Sequence, residues 1–110
     1  MVDIIPTKGR IVWYVLSAQD ADTIKRRRQH TAEIGNEARE GSVYPAMIVE
    51  TWGDKPDSAV NLKVELDGYD VHWATSRKIG EGPGTYHWMP YQKGQAAKTE
   101  AAKLAAAGHK

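Results

Sequence analysis

The chain contains no cysteine, no phenylalanine and no long apolar run. Without cysteine it can form neither a disulfide framework nor a thiolate zinc site, and it has no cysteine nucleophile. A membrane-spanning helix needs roughly 20 consecutive apolar residues, and the sequence holds no such run. Because residues 1–10 also lack the charged and apolar regions of a secretory signal, we expect a cytoplasmic protein with no membrane partner.

The usual catalytic motifs are missing as well. The four histidines are scattered, with no HExxH or paired spacing, so the sequence predicts no metal site. No serine lies in a GxSxG turn, and Ser17 is better explained as a helix cap. The carboxylates Asp67 and Asp70 lie across a tight turn, and the turn itself explains them. We therefore predict a non-enzymatic protein without a metal or cofactor.

Charge is distributed unevenly along the chain. Residues 1–92 hold 11 lysines and arginines against 13 acidic residues, whereas residues 93–110 hold 4 lysines against Glu100. A body without general positive charge argues against specific binding to duplex DNA, because that affinity depends on neutralising phosphates. The overall composition, 41% hydrophobic and 26% charged, is that of an ordinary globular domain.

Alternating and β-branched segments predict about five short strands. These segments are residues 10–16, 43–52, 59–66, 71–79 and 85–91. After the first strand, residues 18–29 favour a short helix and residues 30–42 a loop or frayed helix. The sequence therefore predicts a mainly β domain over residues 1–92, a small SH3-like antiparallel barrel with one helical insertion at about residues 18–42. An OB-like barrel, or a small open sheet with one helix on its face, is the alternative.

Residues 93–110 form a basic tail rich in alanine and lysine. This composition has high helix propensity but almost no apolar face beyond Leu104, so a helix there would be marginal on its own. We expect the tail to be helical or disordered.

Two short motifs could bind anions. Arg26, Arg27 and Arg28 belong to the one dense basic cluster, KRRR, which could clamp phosphates or carboxylates or could be a solvated helix end. The glycines of GEGPG, residues 80–84, could form a phosphate nest, or they could form a flexible turn. No lysine or helix follows them as in a P-loop.

The aromatic residues are all of the polar-tipped kind, four tryptophans and five tyrosines. Such rings suit half-exposed surfaces, where they can stack on bases or bury at an oligomer interface. In the last strand Tyr86 and Trp88 share one face, with His87 and Met89 on the other. One of these pairs should be core and the other displayed.

Several segments resemble a widespread group of short proteins encoded by tailed phages and prophages. The resemblance covers residues 4–98 and is carried by IIPTKGRIVWYVLSAQDAD, YPAMIVETW, VNLKVELDG and EGPGTYHWMPYQKGQAAK, with HWMPYQ the most distinctive piece. The resemblance implies a phage accessory protein in the host bacterial cytoplasm. It assigns no catalytic or ligand-binding residues to this chain. By analogy of residue inventory, such a protein could be an anti-defence sponge that sequesters a small nucleotide-type immune signal.

Under this hypothesis the protein is a homo-oligomer, and its candidate ligand-binding residues are the aromatic and arginine side chains named here: Trp13, Tyr14, Arg26, Arg27, Arg28, Trp73, Tyr86, Trp88 and Tyr91. The alternatives are a virion-associated structural or assembly protein, whose aromatics would bury at a protein interface, and an inhibitor of a host protein.

Overall fold

The computed structural model describes residues 3–32 and 34–107 of the chain. In chain order, the elements are β1 (Ile11–Val15), α1 (Ala18–Thr31), β2 (Val43–Thr51), β3 (Val60–Glu65), β4 (Val71–Arg77), β5 (Tyr86–His87) and α2 (Pro90–Ala107). Each predicted strand is present, with the last one reduced to two residues. The tail is helical up to Ala107, and residues 108–110 lie outside the described part.

The five strands form one antiparallel sheet in the order β4-β3-β2-β1-β5. Short hairpins connect β2, β3 and β4, and β5 returns to pair with β1. Beyond the end of β4, Ile79 forms a parallel bridge with Tyr86, so the two edges of the sheet meet at this point. The expected mainly β, barrel-like fold with a helical insertion and a C-terminal helix is confirmed.

The core lies on the inner face of this sheet because the strands alternate as their sequences predict. Val60, Leu62 and Val64 of β3 are fully buried, and Lys63 and Glu65 between and beyond them are exposed. In β1 the inward residues are Val12 and Tyr14, both fully buried.

Helix α1 begins at a capping box. The Ser17 hydroxyl accepts a hydrogen bond from the Asp20 amide, and the Asp20 carboxylate accepts one from the Ser17 amide. These bonds satisfy amides that a helix N-terminus leaves open. The helix ends at Ala32, which adopts a left-handed conformation, two residues beyond the predicted loop boundary at residue 30.

Helix α2 starts at Pro90, inside the predicted last strand. Pro90 suits a first helical position, since its missing amide hydrogen has no partner there anyway. Gln92 ties this end to the sheet: its side chain accepts a hydrogen bond from the Met89 amide and donates one to the Ile11 carbonyl, at 2.8 and 2.6 Å.

After α1 the chain returns along the β3–β4 turn. Gly35 forms a bridge with Gly68, and the Asn36 amide donates to the Asp67 carbonyl at 2.7 Å. A Cβ added at Gly68 would lie 2.6 Å from the Gly35 Cα and 2.8 Å from the Ile34 carbonyl oxygen. The two backbones can approach this closely because neither glycine carries a side chain.

Replacing Gly68 by alanine is therefore expected to lower the free energy of unfolding by about 1–3 kcal/mol, since backbone atoms must move to admit the methyl group. Gly82→Ala is the matched control, because a Cβ at Gly82 meets nothing within 4 Å. Denaturant unfolding of both variants measures the difference. Equal stabilities would contradict the close approach.

Candidate binding cleft

Three of the predicted stacking residues belong to the core. Tyr14 and Tyr86 are fully buried, and Trp88 is 3% exposed. Tyr14 and Tyr86 face each other across the β1–β5 pairing, and Tyr86 contacts Trp88 edge to face with centroids 6.2 Å apart. Burial is also the main reason that the pKa of the Tyr86 hydroxyl is raised. These rings are closed to a ligand, which corrects their assignment as binding residues.

The other aromatic candidates are accessible but lie in different places. Trp13 is half-buried on the outer face of β1, and Trp73 is 60% exposed on the outer face of β4. Three strand spacings separate these strands, about 15 Å. Tyr91 is exposed at the start of α2. Trp13 and Trp73 therefore do not form one stacking site.

The arginine cluster holds α1 against the β3–β4 turn. Asp70 is buried, and its carboxylate accepts hydrogen bonds from Arg28 Nε and Nη2, both at 2.9 Å, and from Arg27 Nη2. Arg28 Nη1 also donates to the Asn36 carbonyl at 2.6 Å. Arg26 forms an exposed ion pair with Asp22 at 3.0 Å. The cluster is therefore not an open clamp, as one hypothesis had it.

These contacts set the ionisation of Asp70. The hydrogen bonds from Arg28, and to a lesser extent those from Arg27, hold the pKa of its carboxyl well below the usual range, although burial acts in the opposite direction. Asp70 is therefore a fixed anion that orients both guanidinium groups and offsets one of their two positive charges.

A second buried carboxylate, Asp20, fixes the start of α1. Its oxygens accept hydrogen bonds from the Tyr14 hydroxyl, from His72 Nε2 at 2.9 Å and from Arg77 Nη2 at 3.1 Å, in addition to the Ser17 amide at 2.9 Å. Neither of the two cavities described below is lined by these residues. We therefore assign this network to the scaffold.

The hydrogen bonds decide the charge state of this network. Burial alone would raise the pKa of the Asp20 carboxyl, but the hydrogen bonds from His72, Tyr14 and Ser17 outweigh it and lower the pKa well below the usual range. Burial, and then the neighbouring Asp20, raises the pKa of the Tyr14 hydroxyl. The network thus holds one anion, with Tyr14 as a neutral donor.

A cavity of about 480 Å³ lies between α1 and residues 35–39, and we call it the α1 cleft. Ala21, Ile24 and Ala38 form an apolar floor, with Ile24 buried in the core. A Cβ at Gly35 would lie 2.6 Å from the guanidinium carbon of Arg28, so a side chain there would displace that group. The glycine therefore allows Arg28 to form one wall of the cleft.

The rim of the α1 cleft is rich in cations. Lys25, Arg28 and Arg39 line it together with Asp22 and Glu37. Arg39 Nη2 lies 3.0 Å from the Glu37 carboxylate, and this contact is the main reason that the pKa of Glu37 is lowered, with a smaller contribution from Lys25. Glu37 thus occupies a position that favours negative charge.

A larger groove of about 1050 Å³ lies between the N-terminal segment and α2. Ile5, Tyr91 and Leu104 give it exposed apolar walls. Arg10 is the cation among its described lining residues, and its guanidinium already lies 5.7 Å from the centre of the Trp88 ring. The α1 cleft therefore suits an anion better than this groove does.

Sequence reasoning found the basic cluster but missed the residues that define the cleft. Lys25 was read as part of KRRR, and Arg39 and Glu37 as polar loop. Lys25, Glu37 and Arg39 come together because residues 34–36 run back along the β3–β4 turn. The Gly35–Gly68 approach that fixes this path joins positions 33 residues apart, for which a single sequence carries no local signal.

Comparisons with protein-family models, curated proteins and solved structures found no match to this chain. Among the described residues, no helix combines the length and apolar character needed to cross a bilayer. Over residues 3–32 and 34–107, no three histidine, aspartate or glutamate side chains are placed to hold a metal ion together.

Proposed function

We propose that the protein is a non-enzymatic binding protein that captures a small anionic ligand of nucleotide type in the α1 cleft. One observation carries the proposal: an open cleft of about 480 Å³ has an apolar floor beneath a rim bearing Lys25, Arg28 and Arg39. Cavities of roughly 300–1,000 Å³ with apolar walls and a few convergent polar groups are typical of small-molecule sites.

Different residues of the α1 cleft contact different parts of the proposed ligand. Lys25 and Arg39 are exposed and can reach phosphate oxygens, and an incoming phosphate would take the place of Glu37 beside Arg39. Arg28 supplies a positive wall whose orientation Asp70 fixes in advance, which reduces the entropy lost on binding. Ala21 and Ala38, which are partly exposed on the floor, offer apolar contact to the less polar part of the ligand.

Sequestration fits this arrangement. A protein that only removes a signal needs affinity and no reacting group, and the residues of the buried Asp20 network do not line the cleft. Together with the resemblance to short phage proteins, this supports an anti-defence sponge acting in the host cytoplasm. The buried rings Tyr14, Tyr86 and Trp88 have no part in the proposal.

The test is a thermal-shift and calorimetric titration with cyclic di- and trinucleotides and ADP-ribose derivatives. We expect one class to raise the melting temperature, and the double variant Lys25→Ala/Arg39→Ala to weaken its binding at least tenfold, because each charged hydrogen bond contributes roughly 1.5–3 kcal/mol. Arg26→Ala is the control, since Arg26 pairs with Asp22 and does not line the cleft. No shift with any member of the panel would reject the proposal.

A second candidate function is protein binding, as a virion or assembly component or as an inhibitor of a host protein. The exposed apolar side chains on the outer face of the sheet, Trp73 and Met47 among them, favour it. Mass spectrometry of purified virions, and a stoichiometric pull-down from host lysate, would distinguish these roles from sequestration.

A further inference from the structure

The outer face of the sheet carries two parallel rows of side chains. The pairing of the strands places the first row as Trp73, Lys63, Met47 and Ile11, each directly opposite the next. In the second row, Glu65 lies opposite Val71, Pro45 lies opposite Trp13, and Trp13 lies opposite His87. Ala46 pairs with Val64 in antiparallel strands. The next position along each strand is Pro45 on β2 and Glu65 on β3, so these two residues also lie opposite each other. We call these two rows the outer face.

The outer face is apolar and open to solvent. Trp73 is 60% exposed, Met47 42% and Val71 40%. Neither of the two cavities extends across this face, and Ile11 alone of the two rows lines one of them. Exposed apolar side chains on a face that neither of these two cavities covers are typical of a protein interface rather than of a small-molecule site.

The charges on the outer face lie on β3, between the apolar side chains of β4 and β2. Lys63 and Glu65 stand two residues apart on β3, about 7 Å along the strand. Apolar side chains flank them on both neighbouring strands, Val71 and Trp73 on β4 and Pro45 and Met47 on β2. The face therefore has one positive and one negative group, in equivalent positions of the two rows.

We propose that a second copy of this chain packs on the outer face, about a two-fold axis that runs across the strands between the two rows. Because the sheet curves into a barrel, such an axis brings together the parts of the rows on β2, β3 and β4, and there it lays the first row of one protomer on the second row of its partner. Lys63 then meets Glu65 of the partner subunit, and the same pair forms a second time by symmetry. The apolar positions pair in the same way, with Trp73 on one protomer over the valine position of β4 on the other.

This self-complementarity favours a second copy of the chain, rather than an unrelated protein, as the partner on the outer face. A face used by an unrelated partner has no need to carry opposite charges at positions that one two-fold axis exchanges. An axis along β3 would instead set lysine against lysine and glutamate against glutamate, which like-charge repulsion disfavours. The arrangement leaves the α1 cleft of each protomer outside the interface, so dimerisation and ligand capture are separate properties.

The test is the mass of the purified protein in solution, measured by sedimentation and by light scattering across a concentration series. We expect a dimer for the natural chain. The single variants Lys63→Glu and Glu65→Lys each place two like-charge pairs across the axis, and we expect each to weaken the dimer at least tenfold. Both positions are exposed, so the variants should keep the wild-type circular dichroism and melting behaviour of the monomer.

Mixing the two single variants gives the decisive result. In a mixed dimer one protomer contributes two acidic groups and the other two basic groups, so both cross-axis pairs are restored. We expect the mixture to dimerise at least tenfold more tightly than either variant alone. Lys63 also lies 6.0 Å from the Trp73 ring, but loss of that contact within one protomer cannot be rescued by mixing.

A natural chain that stays monomeric at the highest concentration measured would overturn the proposal. So would a mixture no heavier than its components, or a dimer that both charge reversals leave intact. If instead the monomer captures a different protein through Trp73, the face belongs to that partner and the second copy is excluded.

Discussion

Replacing Asp20 by alanine is expected to lower the free energy of unfolding by about 3–5 kcal/mol, the usual cost of removing one partner from a buried charged network. The Asp20 side chain is 2% exposed and accepts hydrogen bonds from β1, β4 and the cap of α1. Alanine would leave the Tyr14 hydroxyl and the His72 ring buried without this acceptor. It would also remove the capping contact to Ser17, which contributes about 1 kcal/mol.

Asp22→Ala is the matched control, since Asp22 lies on the same helix and forms an exposed pair with Arg26. We expect that change to cost less than about 1 kcal/mol. Chemical denaturation followed by circular dichroism measures both variants. A loss at Asp20 no larger than at Asp22 would show that the network adds little to stability.

The same carboxylate predicts how stability depends on pH. The pKa of Asp20 is lower in the folded protein than in the unfolded chain, where it is about 3.9. The folded state therefore binds this proton more weakly, and the stabilisation is complete above about pH 5 and is lost as the pH falls below 4. The stability difference between the natural chain and Asp20→Ala should shrink over that acidic range. A difference independent of pH would contradict the assignment.

The sheet could be predicted from the sequence because its signals are local. The alternation of Val60, Leu62 and Val64, the Asp67–Gly68 turn and the β-branched run around Val12 each specify a strand or turn within a few residues. The shared face of Tyr86 and Trp88 was also correct. Its burial was left open because period-2 alternation tells which residues share a face, and not which face meets the core.

The site could not be predicted in the same way. Ser17 was recognised as the helix cap, but the contacts of Asp20 with His72 and Arg77 join residues more than 50 positions apart. Arg27 and Arg28 were candidates for ligand binding as members of the basic cluster KRRR, but their acceptor Asp70 lies 43 and 42 residues away in the sequence. A charged cluster in one sequence therefore gives the residue types of a site but not whether the protein itself supplies the counter-ion.

Asp70→Ala, the second large change, is expected to lower the free energy of unfolding by about 3 kcal/mol. The Asp70 side chain is 2% exposed, and its carboxylate accepts both parallel hydrogen bonds from Arg28, a geometry that a single water cannot reproduce. Without it, the second half of α1 loses its strongest contact with the β3–β4 turn. We also expect faster amide hydrogen exchange at Asn36, whose amide bonds to that turn.

Asp67→Ala is the control for this change, because Asp67 lies in the same turn but its side chain accepts one exposed hydrogen bond, from Asn36 at 2.8 Å. We expect it to cost less than about 1.5 kcal/mol. The two variants should also differ in how tightly the α1 cleft binds its ligand. Arg28 forms a wall of that cleft and is oriented by Asp70, so Asp70→Ala should weaken a bound nucleotide as well as the fold, whereas Asp67→Ala should spare most of the affinity. Equal binding by both variants, at a temperature where both are folded, would mean that the orientation of Arg28 does not matter to the ligand.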